Sequence, residues 1–120
     1  MTPQLPDELT IDTSPEFRKA LRTLKKRYRS IRKDLEPVIK GIQKGVFPGE
    51  KISGTGFVVY KARIKNRDIQ KGKSAGYRLI YQIESESHVA LLAIYSKSDE
   101  ASISTQLIKT IIAEMNSVSD

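Results

Sequence analysis

The sequence predicts an α+β fold, in which a layer of helices packs against a small, mainly antiparallel sheet of about four strands. Apolar residues recur at helical spacing in residues 17–42 and again in residues 103–115, which predicts two N-terminal helices and a C-terminal helix. Between these segments, runs rich in β-branched and aromatic residues predict strands at 57–64, 76–84 and 88–95.

Local signals mark where the two N-terminal helices begin and end. A short strand is predicted at residues 9–13, directly before the first helix. Residues 14–16, Ser-Pro-Glu, then supply a hydroxyl cap, a proline at the first helical position and an acid in the first turn. Ser30 begins the second helix, which Pro37 is expected to kink or shorten and Gly45 is expected to end.

The predicted strands differ in the character of their two faces. In the first strand, Val59, Lys61 and Arg63 point one way and the alternate residues point the other. Residues 89–94 are apolar on both faces, which is typical of a central strand. Residues 85–87 are short enough to join the last two strands in a hairpin, so these two strands are expected at the centre of the sheet.

The formal net charge of +7 is unevenly distributed along the chain. Residues 14–81 contain 19 basic and 5 acidic residues, a net charge of +14, whereas the two ends together contain 2 basic and 9 acidic residues, a net charge of −7. A positive field of this size attracts phosphate polymers. The cations on the helices equally suit a solvated surface, but the alternation of Lys61 and Arg63 on one strand face favours binding of a polyanion.

The composition excludes several kinds of site. The chain has no cysteine and one histidine, His88, so thiolate chemistry and a histidine-rich metal site are excluded, and without an obvious serine elbow a catalytic triad has no support. The sequence Gly-Lys-Ser at 72–74 lacks the first glycine of a phosphate-binding loop, because Arg67 stands there. The acids considered as ligands lie in predicted loops without ligand spacing, namely Asp68, Glu84, Glu86, Asp99 and Glu100. No metal or cofactor is expected.

A single domain acting in the cytoplasm is expected. The length of 120 residues suits one domain over residues 1–120, with poor order predicted at 1–8 and 116–120. Residues 1–12 contain three acids and no lysine or arginine, which is the reverse of a signal peptide. No apolar run approaches the length that spans a membrane.

Lys61, Arg63 and Arg78 are the cations from which a phosphate site is predicted. If the first two long strands are neighbours, these side chains converge on one face and can stabilise charge on a phosphate. RNA carries its own nucleophile, the 2′-hydroxyl. Its cleavage therefore needs removal of one proton, stabilisation of the phosphorane and protonation of the leaving oxygen. Lysine, arginine and tyrosine can share these tasks, and Lys61 is expected as the base because the positive charge of Arg63, Lys65 and Arg78 helps it to lose a proton.

Three segments follow one another as predicted core strands: VYKAR at 59–63, GKSAGYRLIY at 72–81 and LLAIYSK at 91–97. They resemble the core strands of the RelE/ParE toxins of bacterial type II toxin–antitoxin systems, and the resemblance covers about residues 14–112. It implies a RelE-like fold and a toxin that is neutralised by a cognate antitoxin. The RelE branch implies a metal-independent mRNA endoribonuclease that inhibits translation.

The resemblance also implies roles for individual residues. RelE cuts mRNA in the ribosomal A site with two basic residues on one strand, an arginine on the next, and a further arginine and tyrosine near the C terminus. Here the last two positions fall near Ser98 and Ser104, so Tyr95 or Lys97 is expected to replace the missing acid. The candidate catalytic residues are Lys61, Arg63, Arg78, Tyr95 and Lys97. The candidate RNA-binding residues are Lys65, Lys71, Lys73, Tyr77 and Tyr81.

The partners implied by the resemblance are the cognate antitoxin, mRNA and the ribosome, and the toxin–antitoxin complex is expected to bind operator DNA. No membrane partner is expected. Two other functions stay open, a ParE-type toxin that inhibits DNA gyrase without a nuclease site, and a non-toxic module that binds nucleic acid. The three strand cations favour the RelE branch. The apolar stripe of residues 103–115 either docks on the sheet or is partly covered by a partner.

Overall fold

The computed structural model describes residues 8–69, 75–100 and 102–118. The remaining residues lie outside this description, including Lys71, Lys73 and, of the ends predicted to be poorly ordered at 1–8 and 116–120, residues 1–7 and 119–120. Along the described chain, the elements are β1 (Thr10–Thr13), α1 (Pro15–Arg27), α2 (Ile31–Gln43), β2 (Glu50–Lys51), β3 (Val59–Ile64), β4 (Tyr77–Ile83), β5 (His88–Ser96) and α3 (Thr105–Val118). None of the described helices is long and apolar enough to span a membrane.

The strands form one sheet in the order β1-β5-β4-β3-β2. Strand β1 pairs in parallel with β5, and all the other pairs are antiparallel. The predicted α+β class is confirmed, but the prediction of about four strands is wrong because Glu50–Lys51 adds a fifth strand beside β3. A strand of two residues shows no alternation of its own, and only its pairing with β3 reveals it.

Helices cover both faces of the sheet. Helices α1 and α2 pack on the face that carries Leu79 and Tyr81 of β4, whereas α3 packs on the opposite face, which carries Ile80. Successive residues of a strand point to opposite faces, so β4 supplies both cores from one apolar run. The single layer of helices predicted from the sequence is therefore wrong: α3 lies alone on its side among the described helices, and we call this side the α3 face.

Ser14 joins the first helix to the centre of the sheet. Its hydroxyl oxygen accepts a hydrogen bond from the Phe17 N–H (2.8 Å), and the same hydroxyl donates to the Leu92 carbonyl (2.6 Å). The predicted cap is thus confirmed. Helix α2 begins after Ser30 and continues through Pro37 to Gln43, so Pro37 does not shorten it. Packing of its apolar side against the sheet stabilises this helix despite the proline.

Candidate nucleic-acid site

Strand β3 separates its cations from the core by simple alternation. Ala62 and Ile64 are buried on the side of α1 and α2. Lys61 and Arg63 therefore point to the α3 face, as Val59 does. Lys61 is half-buried and Arg63 is exposed. The predicted shared face of these two cations follows directly from the period of the strand.

Arg63, Arg78 and Tyr95 form a row across three neighbouring strands on the α3 face. Arg63 is the direct partner of Arg78, and Arg78 is the direct partner of Tyr95. Residues directly opposite each other share a face, and two strand spacings place the ends of the row about 10 Å apart. Like charges at directly opposite positions are unfavourable to each other, and a bound phosphate would relieve this repulsion.

A β-bulge decides which residue of β5 joins this row. Tyr81 pairs with Leu91 and Ile80 pairs with Ala93, so Leu92 is an extra residue on β5. With unbroken pairing, Ile94 would stand opposite Arg78. The bulge shifts the register by one residue and brings Tyr95 to that position instead.

Glu50 faces Lys61 on the same side of the sheet. The two residues are direct partners in the antiparallel pairing of β2 with β3. Both therefore point to the α3 face, with Cα atoms about 5 Å apart. Sequence reasoning missed Glu50 because strand β2 is too short to be recognised. A carboxylate beside a lysine gives this end of the face a proton acceptor as well as a cation.

Arg78 is the most buried of the three strand cations, with 5% of its surface exposed. One of its guanidinium nitrogens donates to the Tyr77 carbonyl at 3.3 Å. A buried guanidinium loses much of its freedom to move, and its charge is less screened than that of a surface arginine. Arg78 is therefore the most rigid cation of the row.

Tyr95 is also buried, and its hydroxyl has no hydrogen-bond partner among the described residues. Burial raises the pKa of Tyr95 above its ordinary value, and Glu100 raises it further, whereas the positive charge of Arg78 opposes the shift. The phenol therefore stays protonated at neutral pH. It is a proton donor beside Arg78, but its hydroxyl oxygen is buried in the cluster that packs α3, so it can protonate a leaving oxygen only where bound RNA displaces part of that cover.

Replacement of Tyr95 by phenylalanine is expected to leave the protein as stable as before at pH 7, or more stable by up to about 2 kcal/mol, because a buried hydroxyl without a partner is removed. The raised pKa means that the folded state holds the phenol proton more tightly. This stabilising contribution is complete below about pH 10 and is lost at higher pH. Urea unfolding at pH 7 and pH 10.5 measures both effects. A loss of stability above about 1 kcal/mol in Tyr95→Phe at pH 7 would show that the Tyr95 hydroxyl makes a hydrogen bond.

The other candidate residues have different positions. Lys65 and Lys97 are exposed, and the Lys97 backbone N–H donates to the Gly76 carbonyl at 2.9 Å. Tyr77 and Tyr81 are fully buried on the face opposite the cations. Neither ring offers a surface on which a base could stack, so the RNA contacts predicted for these two tyrosines do not fit the structure. The candidates Lys71 and Lys73 lie outside the described residues.

Tyr77 and Tyr81 make packing contacts inside the protein. The Tyr81 hydroxyl donates to the Pro48 carbonyl at 2.5 Å, and its ring stacks on Tyr60 with centroids 5.7 Å apart. Tyr77 packs edge-on against Tyr28 at 5.9 Å. Burial raises the pKa of both Tyr77 and Tyr81. Tyr77 packs the end of α1 on the sheet and Tyr81 packs against β3 and the loop before β2, so neither ring forms part of a binding surface.

His88 begins strand β5 and is exposed, and its Nδ1 lies 2.8 Å from the Ser87 hydroxyl. It lies at the hairpin, away from the row of arginines. In the described part of the chain, no group of three or more histidine, cysteine, aspartate or glutamate side chains is arranged to hold a metal ion.

Comparison with known proteins adds no assignment. No protein-family model matches the sequence, and no curated protein matches it either.

Proposed function

We propose that this protein is an endoribonuclease that cleaves mRNA and acts as the toxin of a toxin–antitoxin pair, of the RelE kind that its strands resemble. The observation that carries the proposal is the grouping of Lys61, Arg63, Arg78 and Tyr95 on one face, in adjacent positions of three strands. This group contains cations for a phosphate and a protonated phenol for a leaving oxygen. It needs no cofactor for these tasks.

The first step is attack of the RNA 2′-hydroxyl on the adjacent phosphorus. Glu50 and Lys61 stand opposite each other, so one of them can accept the proton while the other supports the charge that results. We assign the proton to the Glu50 carboxylate, because carboxylates are ordinarily ionised at neutral pH and lysines are ordinarily protonated. Lys61 then stabilises the negative oxygen as it attacks. This assignment replaces Lys61 as the base expected from the sequence.

The second step is collapse of the crowded phosphorane. Its additional negative charge develops between Arg63 and Arg78, whose guanidinium groups can donate several hydrogen bonds to its oxygens. The bond from phosphorus to the 5′ oxygen breaks, and that oxygen takes the phenol proton of Tyr95. The products are a 2′,3′-cyclic phosphate and a 5′-hydroxyl. Tyr95 suits the acid role better than Lys97, because Tyr95 belongs to the row and Lys97 follows the strand.

The partners of this activity belong to the proposal as well. A cognate antitoxin and the ribosome are proposed as partners, because the RelE-type toxins that the strands resemble are neutralised by an antitoxin and meet mRNA on the ribosome. The complex with the antitoxin is proposed to bind operator DNA. We also propose that this α+β fold is of the RelE type.

Induced expression in a bacterial host tests the proposed function. We expect growth arrest together with truncated mRNA, mapped at single-nucleotide resolution, and 2′,3′-cyclic phosphate ends on the upstream fragments. Co-expression of the neighbouring reading frame should restore growth. Growth arrest with intact mRNA and damaged DNA would instead support a gyrase toxin. Unimpaired growth, together with no cleavage of RNA by purified protein with or without ribosomes, would leave a non-toxic binding module.

A further inference from the structure

A cavity of about 460 Å³ lies between helix α2 and strand β3, and it opens at the edge of β3. This volume is within the range of small-ligand sites. Among its described lining residues are four cations: Lys33, Arg63, Lys65 and Arg67. Lys33 and Arg67 come from different elements, and the sequence does not indicate that they meet.

The cavity carries a net positive charge. Its acid is Asp34, which accepts hydrogen bonds from the Arg67 side chain (2.6 Å) and from the Arg67 backbone N–H (3.1 Å). This pairing neutralises Asp34 within the wall. Lys33 and Lys65 still supply positive charge for an anion.

The rest of the wall is apolar. Pro37, Val38, Pro48 and Ala62 line the cavity beside the cations. An inorganic anion would make no use of such a surface. A nucleotide would use both parts, because its phosphate requires cations and the flat face of its base packs on apolar side chains.

The open edge of β3 connects this cavity to the α3 face. Strand β2 pairs with Tyr60 and Lys61 of β3 and Gly49 lies against Ala62, so among the described residues no strand pairs with this edge from Arg63 onward. The Val59 carbonyl accepts the Ile52 N–H at 2.8 Å across this edge. Backbone groups repeat their direction every second residue, which points the Arg63 N–H to the open side. Arg63 thus borders both the cavity and the row of arginines.

We infer that the cavity binds a nucleotide of single-stranded RNA, the one next to the phosphate held by Arg63 and Arg78. Its phosphate lies between Lys33 and Lys65, within reach of the Arg63 backbone N–H, and its base packs on the apolar wall. This inference rests on the proposed function, since it places one strand of RNA around the edge of β3. It assigns a substrate-binding role to α2 that the strand cations alone do not provide.

Binding of a trinucleotide with 2′-O-methyl groups tests this inference in the full chain, because the blocked nucleophile prevents cleavage. We expect NMR amide shifts at Lys33 and Ala62 on titration. The double variant Lys33→Gln/Lys65→Gln should raise the dissociation constant at least about tenfold, because two phosphate contacts are lost. The double variant Lys19→Gln/Lys44→Gln makes the same charge change at exposed positions outside the cavity and should change the constant less than about threefold.

Several results would overturn the inference. Equal weakening by both double variants would show a general effect of charge, and shifts confined to the α3 face would show that the cavity stays empty. Binding of a polyglutamate peptide in the cavity, without binding of the trinucleotide, would assign it to an acidic polypeptide. The binding measurement does not depend on nuclease activity. If Lys33→Gln/Lys65→Gln still cleaves RNA and binds the trinucleotide as tightly as the parent, this inference is refuted and the proposed nuclease function is unaffected.

Discussion

Replacement of Lys61 by methionine is expected to lower the rate of RNA cleavage by at least about 100-fold, in line with the usual contribution of a positioned acid, base or charge. Methionine keeps much of the length of the side chain and removes its charge. Lys61 is half-buried at the surface of the sheet, so little change of stability is expected. The measurement is single-turnover cleavage of an RNA oligonucleotide, with ribosomes added if the free protein is inactive.

Lys51→Met is the matched control for this experiment. Lys51 lies on strand β2 and pairs with Tyr60, which packs on the side of α1 and α2, so it points away from the α3 face. Lys51→Met removes the same charge on the face opposite the proposed site and should change the rate of cleavage less than about threefold. Glu50→Gln should be as damaging as Lys61→Met if Glu50 accepts the proton. If both Lys61→Met and Glu50→Gln cleave RNA at the rate of the parent protein, the proposed site is refuted.

Replacement of Gly49 by alanine is expected to destabilise the protein by about 3 kcal/mol or more, through backbone strain and a steric clash together. Gly49 has a φ of +100°, which disfavours a side chain. A Cβ atom there would stand 2.1 Å from the Lys61 carbonyl oxygen and 2.9 Å from the Ala62 Cα. Both contacts are with backbone atoms, so β2 and β3 would have to move apart. Urea unfolding measures the loss.

Gly45→Ala separates the two causes. Gly45 has a φ of +88°, similar to that of Gly49, but a Cβ atom there meets nothing within 4 Å. It should therefore cost only the backbone term, about 1–2 kcal/mol. If both variants lose the same stability, the close approach of Gly49 to Lys61 is unimportant. Gly49→Ala should also reduce cleavage under conditions where it is still folded, because it displaces the backbone of Lys61 from Glu50.

The positions of the tyrosines could have been predicted better from the sequence. Tyr77 is adjacent to Arg78 and Tyr81 is three residues beyond it, so both are an odd number of residues away. Strand alternation alone places them on the face opposite Arg78, where the structure has them buried. Their proximity in sequence suggested a shared surface, and the period of the strand contradicts it. Tyr95 could not be placed in this way, because the bulge at Leu92 changes the register between β4 and β5.

Local sequence is enough to specify the α+β class, the capped first helix and the shared face of Lys61 and Arg63. Each of these depends on local periodicity or on a local hydrogen bond, which neighbouring residues specify. Only the tertiary structure placed Glu50 opposite Lys61, aligned Tyr95 with Arg78 and formed the basic cavity beside α2. These positions depend on strand register and helix packing between distant segments, and no spacing along the chain encodes them.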